Sequence, residues 1–408
     1  MSRGRVLFIT SNLPRWAGDS TTPFVLHLAQ DLQEMGWEIC ILAPHAPRAR
    51  RREILGGVQV ERFRYLWPAS RETLCYQGGA LLNLKRDRWN LLKVPIFVFC
   101  ELAAAMRLLL RSKADIVHSH WVLPQGFVAA LSARAAGVPH VATAHGSDVF
   151  ALRGSLMRRF KRFALLRADA VTVNSSATMA AVRVIAPGLQ RIALIPMGAG
   201  VHELPDPEAV RTVRARYRRG DGPLLIFVGR LAEEKGVCDL ISAVAALSER
   251  LPDVTALILG DGPERQSLED LARELGMTDR VAFIGWTQQS DIPIYLHGAD
   301  IFVGPSRCTA EGRREAQGLT FAEAMLAGIP VIAGEVGGVT DLVRAGSTGL
   351  LVRPGSVSDI VECVVRIHAD PELAEGLRRG ASELVRRSYT REASARAFSA
   401  LYEETLAR

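Results

Sequence analysis

The sequence has few of the features that stabilise or localise a chain without a packed core. Its six cysteines (Cys40, Cys75, Cys100, Cys238, Cys308 and Cys363) are scattered with no close pair. That spacing argues against a disulfide framework or a thiolate metal site and fits a reducing cytoplasm. No stretch supplies the roughly 20 continuous apolar residues that a spanning helix needs. The nearest approach, VPIFVFCELAAAM (94–106), is interrupted by Pro95 and Glu101. The opening run VLFIT is too short for the apolar part of a signal peptide, and no cleavage pattern follows. Aromatic residues make up only 6% of the chain, few platforms for stacking nucleobases, and there is no recognition helix or zinc pattern. No G-x-G-x-x-G is present, which disfavours a dinucleotide cofactor.

What is present is a long, apolar, unevenly charged chain. Its 408 residues are 48% hydrophobic and 23% charged, enough for two or three globular domains. Residues 1–200 carry 26 Lys and Arg against 12 Asp and Glu, and residues 201–408 carry 24 against 31. The basic first half suggests an anionic partner there.

Short β-branched runs alternate with helical patterns along the whole length. VLFIT (6–10), ICILA (39–43), DIVHS (115–119), HVATA (140–144), AVTVN (170–174) and IALIP (192–196) read as buried strands. The segments 24–36 and 126–137 between them carry helical periodicity. The rhythm breaks from 197 to 222, read as a linker and a lead-in helix. It restarts with LLIFVG (224–229), TALILG (255–260), RVAFIG (280–285), DIFVG (300–304) and PVIAG (330–334). Such alternation implies α/β architecture with mostly parallel sheets. The expected division is a first Rossmann-like domain over 1–200, a second over 201–390, and a C-terminal helix over 391–408 that could pack back on the first. Two doubly wound domains of this kind would face a cleft collecting the residues just after each strand.

Those post-strand loops hold the candidate chemistry. After the first strand, Gly18 and Asp19 precede a helix near Pro23, either an anion-accepting turn or a turn and cap alone. His145, followed by Gly146 and Asp148, could bond a polar ligand while Asp148 orients the turn. Histidines at 118 and 120 lie nearby, yet the set lacks a third ligand at helical spacing, so no metal is expected. In GRLAEEKG, Arg230 and Lys235 straddle a turn that opens a helix at Gly236, a suitable grip for a diphosphate unless Glu233 and Glu234 simply balance them. EAQGLTFAE places Glu315 and Glu323 eight apart around Gly318 and Leu319. Thr320 and Glu323 fit a capping box that would start a helix at Phe321, which leaves Glu315 unexplained by capping. A carboxylate beside the amides of Gly318 and Leu319 is suited to sugar hydroxyls, and Glu323 could reach a ribose diol.

Taken in order, AGDSTTPF, HGSD, GRLAEEKG and EAQGLTFAE resemble the retaining family-four glycosyltransferases of the GT-B fold over essentially the whole chain. The resemblance implies that Arg230 and Lys235 hold the donor diphosphate and that Glu323 binds the ribose. It also implies that Glu315, with the backbone at Gly318 and Leu319, meets the transferred sugar. His145 would lie near the reacting centre, and Gly18 would let the first loop approach phosphate. Such enzymes need no cofactor and no divalent metal. The family often has Glu-Gly-aromatic-Gly where this chain has Glu315-Ala316-Gln317-Gly318, and a glycine pair where it has Ala17-Gly18.

The expected activity is transfer of a sugar from a UDP- or GDP-linked donor to a carbohydrate or lipid-linked acceptor in envelope or exopolysaccharide assembly. The expected location is cytoplasmic, at or near the inner face of the membrane, with no nucleic-acid partner. Residues 85–113, rich in apolar and basic side chains, read either as a membrane-interface segment or as a core-facing helix with a solvated basic end. The alternatives are a two-lobed sugar or nucleotide binder without catalysis, a sugar-nucleotide epimerase, or a phosphorylase. No lysine follows Lys235 to hold the last of these enzymes' pyridoxal group.

Overall fold

The computed structural model describes the chain except for residues 1–2, 20, 22, 77–78, 153 and 201–203, and the side chain of Leu81. Ser20 and Thr22 of the AGDSTTPF motif, and residues 201–203 of the linker, therefore lie outside the described residues. The chain divides into two compact units, Met1–Gly198 with Ser394–Arg408, and Ala199–Ala393.

The first unit is built on eight strands: β1 (Gly4–Ile9), β2 (Trp37–Pro44), β3 (Arg52–Leu55), β4 (Val58–Phe63), β5 (Ile116–His120), β6 (His140–Ala144), β7 (Ala170–Val173) and β8 (Ile192–Leu194). Their order across the sheet is β3-β4-β2-β1-β5-β6-β7-β8. All pairs are parallel except β3–β4. Residues of β5, β6 and β7 are buried throughout, as expected of central strands covered on both faces. The β3–β4 hairpin was not expected. Gly56 and Gly57, both at positive φ (55° and 85°), make its two-residue turn.

The last helix, Arg391–Leu406, is tied into this unit by buried polar bonds. Trp37 Nε1 donates to Ser399 Oγ at 2.9 Å, and His118 Nδ1 lies 2.6 Å from the Tyr402 hydroxyl. Phe398 and Tyr402 are fully buried. Burying a large apolar side chain is worth about 1.5–3 kcal/mol, so the helix is held by packing as well as by these bonds.

The second unit carries β9 (Leu224–Val228), β10 (Thr255–Leu259), β11 (Val281–Gly285), β12 (Ile301–Gly304), β13 (Val331–Gly334) and β14 (Leu350–Val352). Their order is β11-β10-β9-β12-β13-β14, all parallel. Strand alternation divides β9 between two cores. Leu225 and Phe227 pack in one, while Leu224, Ile226 and Val228 pack in the other. The linker's lead-in helix is Pro207–Tyr217, capped by Asp206 through a 3.0 Å bond from the Glu208 amide.

In both sheets the winding reverses next to the first strand of the unit, between β1 and β5 and between β9 and β12. Loops leaving the carboxyl ends of the two strands at such a point diverge to opposite faces and leave room for a ligand. That geometry selects the segments after β1 and β5, and after β9 and β12.

Candidate functional site

In the second unit, the chain leaves β9 through Gly229 and the exposed Arg230, then forms one tight turn, Glu233–Lys235, before the helix Val237–Leu247. Gly236 joins turn to helix at φ 64°, and a Cβ there would stand 2.1 Å from the Pro305 carbonyl. Only glycine lets the loops after β9 and β12 approach this closely.

Two arginines from the loop after β12 hold this turn, Arg307 through its carbonyls and Arg313 through its carboxylates. The Arg307 amide donates to the Glu234 carbonyl at 2.9 Å and its Nε to the Glu233 carbonyl at 3.1 Å. Arg313 bridges to Glu234 at 2.9 Å and to Glu233 at 3.2 Å. Lys235 is therefore not balanced by its chain neighbours. Its Nζ instead pairs with Glu315 Oε2 across 80 residues of sequence. Both side chains are largely shielded, at 22% and 12% exposure, where an ion pair is screened less than on an open surface. Glu315 is also fixed through its backbone, since the Gly338 amide donates to its carbonyl at 3.1 Å.

The segment after Glu315 corrects the capping expectation. The helix runs Leu319–Leu326 with Gly318 as its N-cap at φ 84°, and no side chain caps it. Phe321 N bonds to the Gly318 carbonyl at 3.1 Å. Thr320 is already inside the helix, too late to act as N-cap, so the T-x-x-E spacing is coincidental. The N-cap lies two residues earlier than the box requires, at a left-handed position where a Cβ would stand 2.7 Å from the Phe321 ring, so that only glycine fits there.

Glu323 thus does no capping. Its residue surface is only partly covered, but protein surrounds the carboxyl closely enough that burial pushes its pKa up to about 7. Four of the predicted donor residues (Lys235, Glu315, Gly318 and Leu319) are brought together by direct contact or adjacency. Arg230 follows β9 itself, and Glu323 sits one turn into the helix after Gly318.

The first unit's corresponding edge is of a different kind. His120 ends β5 and His145 follows β6, and His120 Nδ1 lies 3.1 Å from His145 Nε2. Phe24 and Trp121 pack on His145, with ring centroids at 5.2 and 4.7 Å. Burial lowers His145 to about 3 and His120 well below the ordinary histidine range, with His118 and His145 adding to the latter. Both rings are neutral at physiological pH.

Asp148 orients this turn. Its Oδ1 accepts from the His145 amide at 3.2 Å and its Oδ2 from the Val122 amide at 2.7 Å. Among the described residues, no group of three or more His, Cys, Asp or Glu is arranged to hold a metal ion.

Gly18 is exposed at φ 85°. The following amide, of Asp19, is already bonded to the Trp16 carbonyl at 3.1 Å. The Asp19 carboxylate accepts from the Arg15 amide at 2.8 Å and from Arg15 Nε at 2.8 Å. The predicted anion turn is therefore closed on itself around Arg15 in this structure.

Sequence reading missed Arg307 and Arg313, which bind the turn carrying Lys235, and it missed the pairing of His120 with His145. The position of Arg307, three residues past β12 at the reversal of winding, was the available signal.

The helix Asn90–Ser112 bears out the core-facing reading of 85–113 and also leaves apolar side chains exposed on its other side. Phe97, Ala104, Ala105, Leu108 and Leu109 are buried on one side. Leu92, Ile96, Phe99 and Leu110 are exposed by 66%, 44%, 71% and 76%. No helix among the described residues is long and apolar enough to cross a membrane.

Comparisons with known proteins agree with this architecture. The family model "Glycosyl transferases group 1" matches residues 211–384, and "Glycosyl transferase 4-like domain" matches residues 21–198. The chain is 33% identical over 379 residues to the 2-deoxystreptamine glucosyltransferase of Streptomyces kanamyceticus, covering 87% of this chain and 92% of the relative. It is 32% identical over 260 residues to the GDP-mannose-dependent alpha-(1-6)-phosphatidylinositol monomannoside mannosyltransferase of Mycobacterium tuberculosis, covering 62% of this chain and 66% of the relative.

Among solved structures, Anabaena HepE in complex with UDP superposes with a TM-score of 0.76 at 19% identity, covering 98% of this chain and all of the other. Sucrose-phosphate synthase from Thermosynechococcus elongatus superposes at 0.78 with 23% identity, covering 99% of this chain and all of the other. With its two Rossmann-like sheets and full-length likeness to a curated glucosyltransferase, the chain belongs to the glycosyl transferases group 1 and is a glycosyltransferase of the GT-B fold.

Proposed function

We propose that the protein transfers a sugar, with retention of anomeric configuration, from a UDP- or GDP-linked donor to a carbohydrate or lipid-linked acceptor in envelope or exopolysaccharide assembly. The observation that carries this reading is the Lys235–Glu315 pair at the reversal of winding in the second unit's sheet. An ammonium has three donors. One is held by Glu315, which fixes the lysine and leaves two for diphosphate oxygens. Arg230, at the end of β9, would share that anion with a forked guanidinium. Together they stabilise charge building on the leaving nucleoside diphosphate, a contribution that grows in the transition state.

Glu315, with the backbone at Gly318 and Leu319, would orient the transferred sugar, and Glu323 the ribose diol. His145, a neutral ring, would contact the sugar near the reacting carbon, with Asp148 and Asp19 supporting their loops and Gly18 easing the approach to phosphate. The first domain would then bind acceptor and the second the donor. On this reading the charge on the diphosphate is met by side chains, and no divalent metal or other cofactor is needed.

The relatives support a nucleotide-sugar donor. The mycobacterial mannosyltransferase is named for GDP-mannose, and the Anabaena structure contains UDP. A donor-hydrolysis screen across UDP- and GDP-sugars tests the reading. One sugar nucleotide should be consumed well above the rest; consumption of none would contradict it.

The exposed row Leu92, Ile96, Phe99 and Leu110, with Lys85, Arg86 and Arg88 at its amino end, fits peripheral contact with an anionic membrane at the cytoplasmic face. Each basic residue near such a surface contributes about 1 kcal/mol. Sedimentation with anionic liposomes at low salt should carry the protein down. Replacing Phe99 and Leu92 by Ser should release it, and equal sedimentation of both proteins would refute the contact.

A further inference from the structure

We infer that His120 is a positioning residue that fixes the proton of His145 on Nδ1, so that His145 presents an N–H donor to an oxygen of the bound donor sugar. The inference rests on the reading of His145 given above and adds to it the residue that sets its hydrogen-bonding sense.

The two rings are nearly parallel, 20° apart, with centroids at 5.3 Å and Nδ1 of His120 3.1 Å from Nε2 of His145. That separation is what two imidazoles give when they meet edge to edge along the line of these nitrogens. An N–H···N bond then lies in both ring planes, the preferred geometry. With both rings neutral, only one of the facing nitrogens carries a proton.

The far side of His120 decides which. His120 is fully buried, and its Nε2 has no hydrogen-bond partner among the described residues. If His145 were the donor, His120 would have to carry its own proton on that unpartnered Nε2. A buried N–H without an acceptor is the rarer and costlier defect. Placing the His120 proton on Nδ1, donated to His145, avoids it. His145 must then be protonated on Nδ1, the remaining edge of a ring that keeps 7% exposure.

The surroundings hold this arrangement in place. Phe8 and His118 pack against His120, with centroids at 4.9 and 4.3 Å. Phe24 and Trp121 pack against His145. The His145 backbone is held at both ends, its amide by Asp148 Oδ1 at 3.2 Å and its carbonyl by Asn174 Nδ2 at 3.2 Å. A neutral ring locked as a donor suits a hydroxyl or phosphate oxygen, and it does so without adding charge.

The test is the ring-nitrogen spectrum of ¹⁵N-histidine-labelled protein at neutral pH, without ligand. The expected result is His145 protonated on Nδ1. In His120→Phe, which keeps the ring but has no donor, His145 should move towards the Nε2-protonated form and kcat/KM should fall about tenfold. His120→Asn, whose amide can donate from the same place, should keep the wild-type tautomer and most of the rate.

A wild-type His145 protonated on Nε2 would overturn the inference, as would an unchanged tautomer in His120→Phe. The wild-type spectrum decides even if the variants fail to fold. If His145→Ala turns over donor normally while the tautomer is as stated, the substrate role given to His145 fails and the proton assignment stands.

Discussion

The carboxyl edges of the two sheets make opposite use of the same architecture. At the first sheet the side chains are imidazoles kept neutral by burial, packed against an indole. At the second they are a web of ions, in which Arg313 pairs with Glu233 and Glu234, Arg307 holds the backbone carbonyl of Glu233 and pairs with Asp239, and Lys235 turns to Glu315. Identical winding thus supports a site of fixed hydrogen-bond direction in one unit and a site of fixed charge in the other. A diphosphate calls for the second kind; a neutral sugar or an acceptor hydroxyl is served by the first.

The sharpest way to test the contrast is to ask whether the first unit tolerates charge. Glu101 is fully buried beside Gln125, whose Nε2 donates to it at 3.0 Å, and burial raises its carboxyl to about 8. An acid whose folded pKa is raised stabilises the fold below its unfolded value, near 4.5, and loses that contribution as pH climbs through about 8. Between pH 5 and 9 the wild type should lose roughly 4 kcal/mol of stability relative to Glu101→Gln. Thermal melts across that range should show the two proteins converging at low pH and separating at high pH. Parallel curves would mean that Glu101 is not held neutral.

Next in size is the ionic web. Lys235→Ala should lower kcat/KM for transfer at least tenfold, about 1.4 kcal/mol of transition-state stabilisation, with the fold intact. Arg313→Ala, which frees the acidic turn without touching substrate, should cost less. If it costs as much, the web is one unit rather than a site with a support.

The smallest effect concerns Glu323. With its pKa raised to about 7, it gains its charge between pH 6 and 8. The carboxylate is the form that accepts from a ribose diol, so nucleotide affinity should rise several-fold over that interval, and the rise should vanish in Glu323→Gln. A falling affinity would reverse its assignment.

Much of this was legible in the sequence because it is local. The apolar runs at 140–144 and 224–228 are strands covered on both faces, so burial itself made them conspicuous. Glu315 stood out because capping could not explain it. What escaped was either masked or distant. The Gly56-Gly57 turn was hidden by the run of arginines before it. The capping box failed because the helix starts from the left-handed Gly318, two residues before Thr320, a backbone turn no spacing rule contains. Arg313 with Glu233 and His120 with His145 are separated by 80 and 25 residues, and only the sheet order brings them together.

The central claim is that Lys235, held by Glu315, grips the diphosphate of a nucleotide-sugar donor. Isothermal titration of UDP and GDP into the wild type and Lys235→Ala tests it most directly. One nucleotide should bind the wild type and bind the variant at least tenfold more weakly. Equal affinity in the two proteins, or no heat from either nucleotide with the wild type, would contradict it.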